Sequence, residues 1–351
     1  MRRRVDPPLT GEKVLTEVEE RRLPPDSDPD ATAVALAGVS KRYGDVVAVD
    51  DLDLVVPRGA TYGFLGPNGA GKTTTIRILL RILEADEGEV RLLGGAPDRD
   101  TLDRVGYLPE ERGLYRRMRV RDLLEFLAEL KGLRREESRP RIEHWLERFD
   151  LLDRAGDRVQ DFSKGMQQKL QFIAAVLHEP ELVVLDEPFG GLDPLNQRAL
   201  REVIADLQRA GRTILFSTHL IEHAERLCDH VCIIAHGRKV LDGPLARIRR
   251  EQGGGYVALS LDGGPIDDVS ATVAGIQAAP MVARASADGT DLEVALRDGS
   301  GPQELLAWLV AEEVPVRRFE RVEPSLTQIF IERVGIDPAT LEAGPVEAAR
   351  A

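Results

Sequence analysis

The run Gly66-Pro67-Asn68-Gly69-Ala70-Gly71-Lys72-Thr73-Thr74 carries the most specific chemistry in the chain. It fits the pattern G-x-x-x-x-G-K-[ST]. Glycines there let the backbone curl until successive N–H groups point at one place, where phosphate oxygens can sit. A helix starting at that place adds the positive end of its dipole. Lys72 can reach the outer phosphates as a point charge, and the Thr73 hydroxyl suits Mg²⁺. Only seven of the 47 basic residues are lysines, so a lysine here is not compositional background. The chain is expected to bind a nucleoside triphosphate.

A second reactive group closes the run Glu181-Leu182-Val183-Val184-Leu185-Asp186-Glu187-Pro188. Four consecutive apolar residues suit a central parallel strand covered on both faces. Carboxylates at its C-terminal end would open into the crevice where α/β sheets bind ligands. Asp186 is placed to hold Mg²⁺, directly or through water, and Glu187 to orient and polarise the attacking water of a hydrolysis. A solvated acidic turn would read the same way in isolation; the phosphate loop upstream favours the catalytic reading.

The elements that must position these groups are legible in outline. Residues 60–65 read as the strand before the phosphate loop, and 74–83 as the helix after it. From 33 to about 244, apolar strands and amphipathic helices follow one another as in an α/β domain. Residues 1–31 are charged and rich in Pro and Asp, which suggests a flexible arm, and Gly253-Gly254-Gly255 suggests a linker. Beyond it, strands are expected at 256–261, 282–285, 291–296 and 316–322, with helices at 267–278 and 303–313. That β-α-β-β-α-β order is the order of a small ferredoxin-like domain. A last helix over 325–334 and a loose tail over 336–351 complete the division: arm 1–31, ATPase domain 32–250, small α+β domain 256–335, tail.

Bulk properties narrow the classes. A chain of 351 residues fits about two domains and can bury its cores without disulfides, for which two cysteines would be too few a framework. A net charge of −13 argues against a nucleic-acid-binding face. There is no apolar run near the ~20 residues a spanning helix requires, and no apolar core of a signal peptide in residues 1–30. The expectation is a soluble cytoplasmic protein able to dock on a membrane protein.

Phe162-Ser163-Lys164-Gly165-Met166-Gln167-Gln168-Lys169 precedes an apolar helix expected over 170–177, shortly upstream of the acidic strand. Here the chain resembles the ATP-binding-cassette (ABC) ATPase family, whose signature reads L-S-G-G-Q at this place. Further motifs follow in the family's order. Tyr43 matches the aromatic that stacks on adenine, Asp193 in Gly191-Leu192-Asp193-Pro194 the D-loop, and His219 in Ser217-Thr218-His219-Leu220 the switch histidine facing the γ-phosphate. The resemblance spans residues 33–244. It implies an α/β P-loop NTPase fold, an ABC cassette with a RecA-like core plus helical subdomain, followed by the small C-terminal α+β domain.

It also implies that two cassettes, identical or not, join head to tail around ATP and Mg²⁺. Ser163, Lys164, Gly165, Met166 and Gln167 would then meet the γ-phosphate held by the other subunit. Lys164 either adds charge there or is solvated; solvation is favoured, because the motif uses a backbone N–H at that position. Separate transmembrane permease subunits are implied as partners, with the cassette peripheral on the inner face of the cell membrane and no nucleic acid expected. The basic run Arg112-Gly113-Leu114-Tyr115-Arg116-Arg117-Met118 is read equally as a solvated loop or as the surface meeting the permease.

The chain departs from the family where a glutamine usually follows G-Y-L-P. It reads Gly106-Tyr107-Leu108-Pro109-Glu110-Glu111, so Glu110 can still approach Mg²⁺ or water in the ATP site but brings a negative charge beside the phosphates. The wording of these motifs, with the C-terminal Glu323-Pro324-Ser325-Leu326, resembles a branch of bacterial exporter ATPases labelled as sodium- or drug-efflux types. Substrate identity does not follow from that. The rival is a soluble ABC ATPase acting on ribosomes or nucleic acid. Against it, only about ninety residues without sustained heptads separate Lys72 from Ser163, where DNA-acting members insert a long coiled coil. His223, Cys228, His230 and Cys232 lack the spacing of a zinc site and are read as packing residues.

Overall fold

The computed structural model describes residues 30–111, 113–252, 255–262, 266–297 and 299–335. The expected arm apart from Asp30 and Ala31, the tail over 336–351, Arg112 and two glycines of the expected linker lie outside the described residues.

In chain order the elements are β1 (Thr32–Tyr43), β2 (Val46–Pro57), β3 (Thr61–Leu65), α1 (Lys72–Leu79), β4 (Glu87–Leu92), α2 (Arg99–Asp103), β5 (Val105–Leu108), α3 (Val120–Leu130), α4 (Arg135–Arg148), α5 (Lys164–Val176), β6 (Leu182–Asp186) and α6 (Pro194–Arg209). The chain continues through β7 (Thr213–Thr218), α7 (Ile221–Leu227), β8 (His230–Ala235), β9 (Arg238–Pro244) and α8 (Leu245–Gln252). It ends with β10 (Tyr256–Leu261), α9 (Ile266–Ala278), β11 (Val282–Asp288), β12 (Asp291–Leu296), α10 (Pro302–Ala311), β13 (Val316–Arg321) and α11 (Leu326–Val334).

The central sheet runs β5-β6-β7-β3-β8-β9, parallel except for β9. Alternation along β6 shows why its run is continuously apolar. Leu182 and Val184 join the core beneath the antiparallel sheet β2-β1-β4, while Val183 and Leu185 join the core beneath the helices. In the ladder Asp186 lies opposite Ser217, and Leu65 opposite Thr218. The C-terminal ends of β3, β6 and β7 are therefore level, and the loops that follow them emerge side by side.

α1 begins at Lys72 and ends at Leu79, short of the expected 83. Arg81 takes a left-handed backbone (φ 54°), and the N–H groups of Ile82 and Leu83 both turn back to Arg77 O. No glycine marks this stop, so the residue pattern alone does not show it. α5 starts earlier than the expected 170, so the signature residues form its first turn rather than a loop before it. Ser163 is the N-cap, its Oγ accepting from Met166 N at 3.3 Å.

The C-terminal segment forms an antiparallel sheet ordered β11-β12-β10-β13, with its own core of residues such as Val257, Ile276, Val294 and Leu305. α11 does not join that core. Leu326, Ile329 and Phe330 are fully buried among residues of the ATPase core, including Ile221 and Ala224 of α7. The chain leaves the ATPase domain through α8, builds the small sheet, and returns.

Candidate nucleotide-binding and hydrolysis site

Two glycines of the phosphate loop are required by space. A Cβ on Gly66 would lie 2.4 Å from Ile234 O, and one on Gly71 2.3 Å from Ala48 O. Gly71 also has φ 104°, where side chains are strained. As the N-cap of α1 it offers no side-chain acceptor, and the first turn holds no acidic residue. Among the described residues, the leading N–H groups and the dipole of α1 thus face the loop with no side-chain cap. Lys72 folds over this loop, its Nζ donating to Gly66 O at 2.8 Å and Pro67 O at 3.2 Å.

Beside the loop, Asp186 is wholly buried. Its Oδ1 accepts from Ser217 Oγ at 2.6 Å and from Thr73 Oγ1 at 3.3 Å, while its Oδ2 is buried and has no hydrogen-bond partner among the described residues. Burial pushes this carboxyl above its ordinary range, the two hydroxyls pulling the other way. Glu187 follows in a left-handed conformation (φ 48°), a rare geometry for a residue with a side chain. Its N–H donates to Ser217 Oγ at 3.0 Å. The carboxylate is held between two groups: Lys72 Nζ lies 3.4 Å from Oε1 and His219 Nδ1 lies 3.0 Å from Oε2.

Lys72 and Glu187 line one cavity of about 440 Å³, together with Tyr43, Asn68, Gly69, Ala70, Gly71, Thr73, Thr74 and Glu110, and Asp186 and His219 adjoin it through Thr73 and Glu187. Tyr43, at the end of β1, is half exposed and free to present a ring face. At Glu110, partial burial and then the charges of Asp186 and Glu187 raise the carboxyl above its usual range. The signature is elsewhere on the surface: Ser163 and Lys164 are exposed at the start of α5. Gln167 donates to Val159 O and Phe162 O, and Met166 Sδ accepts from Arg154. Asp193 caps α6, accepting from Asn196 N at 2.9 Å, and a Cβ on Gly165 would touch that Asn196. Signature and D-loop are neighbours, and neither lines the phosphate cavity of the same chain.

Ser217, to which the sequence motif assigns no task, joins Asp186 to the backbone of Glu187. Phe189, which no motif marks, stacks its ring on His223 at 4.1 Å. Burial, with Arg201 and Arg226 acting in the same direction, lowers the His223 pKa to about 4. Cys228, His230 and Cys232 have separate places: Cys228 against Gly63, His230 stacked on Tyr62, and Cys232 buried in β8.

A parallel sheet with a phosphate loop after its central strand, an acidic strand end beside it and a helical subdomain carrying a capped signature helix define an ATP-binding cassette. Residues 49–190 match the ABC transporter family, and residues 243–334 match the family described as ATP-binding protein DrrA1-3-like, C-terminal domain. An ABC transporter ATP-binding protein of Bacillus subtilis, YhaQ, is 45% identical over 299 residues, which cover 85% of this chain and 97% of the relative. The daunorubicin resistance ATP-binding protein DrrA3 of Streptomyces coeruleorubidus is 34% identical over 320 residues, covering 89% and 99%. A solved ATP-binding subunit of an ABC transporter superposes with a TM-score of 0.59 at 35% identity, covering 63% of this chain and 93% of that one. The chain belongs to the ATP-binding proteins of ABC transporters. It is therefore a nucleotide-binding, ATP-hydrolysing transporter subunit, and the rival role on ribosomes or nucleic acid gives way. Subunits of this family work with membrane components in transporter complexes. Among the described residues no helix is long and apolar enough to cross a membrane.

Proposed function

We propose that the chain powers export through separate permease subunits at the inner face of the membrane, closing head to tail with a second cassette around ATP. The observation that carries the hydrolytic part is the placement of Glu187 between Lys72 and His219 on the wall of the phosphate cavity. The export direction is supported by relatives named for daunorubicin resistance and for Nod factor export, the latter a Sinorhizobium fredii protein 40% identical over 214 residues.

In this reading the N–H groups of residues 69–73 and the start of α1 bind the β- and γ-phosphates, and Tyr43 stacks on the base. Phosphate draws the Lys72 ammonium away from Glu187, which frees that carboxylate to align the attacking water and accept its proton. His219 holds Oε2 of Glu187 and keeps it aimed. Ser163, Lys164, Gly165, Met166 and Gln167 offer the start of α5 to the γ-phosphate of the partner cassette, with Asp193 beside them.

The residues fit a divalent cation: Thr73 supplies a hydroxyl, and the buried Oδ2 of Asp186, without a hydrogen-bond partner among the described residues, supplies a hard oxygen suited to a cation. Mg²⁺ bound there would neutralise charge on the transferring phosphate.

The test is Glu187→Gln, expressed in native cells and trapped with ATP. It is expected to bind ATP, to dimerise, and to lose hydrolysis by roughly a hundredfold or more. A multi-spanning protein should co-purify from membranes in fixed ratio. Wild-type turnover would remove Glu187 from the mechanism, and recovery of only soluble partners would remove the transport role.

A further inference from the structure

α7, the seven-residue helix that begins two positions after His219, is gripped from two sides. Toward the catalytic loop, the His223 ring stacks on Phe189 with 22° between planes, and Arg201 Nη1 lies 3.3 Å from its Nδ1. Phe189 is two residues beyond Glu187, so α7 rests directly on the segment that carries the carboxylate.

Toward the C-terminal sheet, one residue makes the connection. Glu225 Oε1 accepts from Leu326 N, the first residue of α11, at 2.9 Å, and pairs with Arg249 of α8 at 2.5 Å. A carboxylate at the start of a helix is favoured by the helix dipole, and the arginine contact is charge-assisted. α8 is where the chain leaves for the C-terminal sheet and α11 is where it returns. A single carboxylate on α7 thus holds both connections.

The far side of the linkage is also tied. Ser325 Oγ donates to Glu293 of β12 at 3.2 Å, and the Tyr256 hydroxyl of β10 donates to Glu332 of α11. α11 is packed into the ATPase core against α7 itself. A displacement of the small sheet must therefore either break these contacts or move α7. The elements that hold the nucleotide, namely the phosphate loop and the end of β1, make none of these contacts.

We infer that Glu225 is a positioning residue for hydrolysis: it fixes α7, and through α7 the aim of His219 on Glu187, so that the placement of the C-terminal sheet governs turnover rather than ATP binding. This rests on the role proposed for His219. A misplacement of about 1 Å can cost up to a hundredfold in rate, so partial loss of one clamp is expected to cost roughly tenfold.

The experiment uses the full chain. Glu225→Ala, Glu225→Gln and Arg249→Gln are assayed for kcat, for KM and Kd of ATP, and for thermal melting. Glu225→Ala should lower kcat roughly tenfold with KM and Kd unchanged, and Glu225→Gln, which keeps an oxygen for Leu326 N–H, should lose less. Arg249→Gln loosens the same clamp without altering α7 and should shift kcat in the same direction; it decides the matter if Glu225→Ala does not fold. Unchanged kcat in the folded variants would overturn the inference, as would a rise in KM matching the fall in kcat, or a loss of activity that only tracks the folded fraction. His219→Ala separates the two readings. Full activity in that variant sinks the role of His219, whereas activity lost there but kept in the Glu225 and Arg249 variants sinks the clamp alone.

Discussion

The molecule presents two helix starts suited to a γ-phosphate, and they are finished differently. α1 begins at Gly71, which has no side chain to cap it, inside a cavity whose other walls come from the same chain. α5 begins at Ser163, which caps Met166 N with its own hydroxyl and is exposed. An uncapped start leaves several N–H donors unsatisfied, a cost tolerated where a ligand will meet them; a capped start is stable alone and can wait at the surface. The first is a site within one chain. The second, in the proposed mechanism, becomes a site only against another cassette.

That contrast can be broken at either end. Lys72→Ala removes charge-assisted bonds to phosphate and should weaken ATP binding by the isolated chain by roughly tenfold to a hundredfold, measured by calorimetry. Unchanged affinity would remove Lys72 from the binding site. Ser163→Arg should leave that same affinity intact yet abolish the ATP-dependent dimer, which gel filtration of a Glu187→Gln background would show. Dimerisation at wild-type concentrations would mean that the start of α5 is not at the interface.

A smaller effect sharpens the picture of the cavity. The Glu110 carboxyl is raised by burial and by Asp186 and Glu187. A carboxyl raised in the folded state favours folding below its unfolded pKa, and that contribution is lost as pH rises through the folded pKa. Glu110→Gln should therefore raise Tm slightly at neutral pH, by no more than about 2 °C, and flatten the pH dependence of melting above pH 5. A lower Tm at neutral pH would show that Glu110 is stabilised by a partner instead.

The phosphate loop was legible because its glycines answer to local geometry: Gly66 and Gly71 have no room for a Cβ. The acidic strand end was legible because β6 is buried on both faces and its apolar run stops at Asp186. What sequence could not show was where pieces meet in space. The apolar stripe of Leu326, Ile329 and Phe330 predicts a buried helix face, but not that the face enters the ATPase core rather than the small one. Glu225 reads as one more solvated charge on a short helix; its importance comes from Arg249 and Leu326, distant in the chain. The left-handed turn at Arg81 that ends α1 had no glycine to announce it.

The return of α11 changes how the chain can be cut. A domain hung on the end of a chain comes away by truncation, but the segment from β10 to β13 is spliced between α8 and α11, both of which contact the Glu225 carboxylate. Truncation before β10 would also strip Leu326, Ile329 and Phe330 from the ATPase core and leave their apolar neighbours wet. Excision that joins α8 to α11 through a short loop would leave that core closed. The small sheet is thus a parenthesis in the chain, exchangeable for another of the same span, while the helix after it is part of the main sentence.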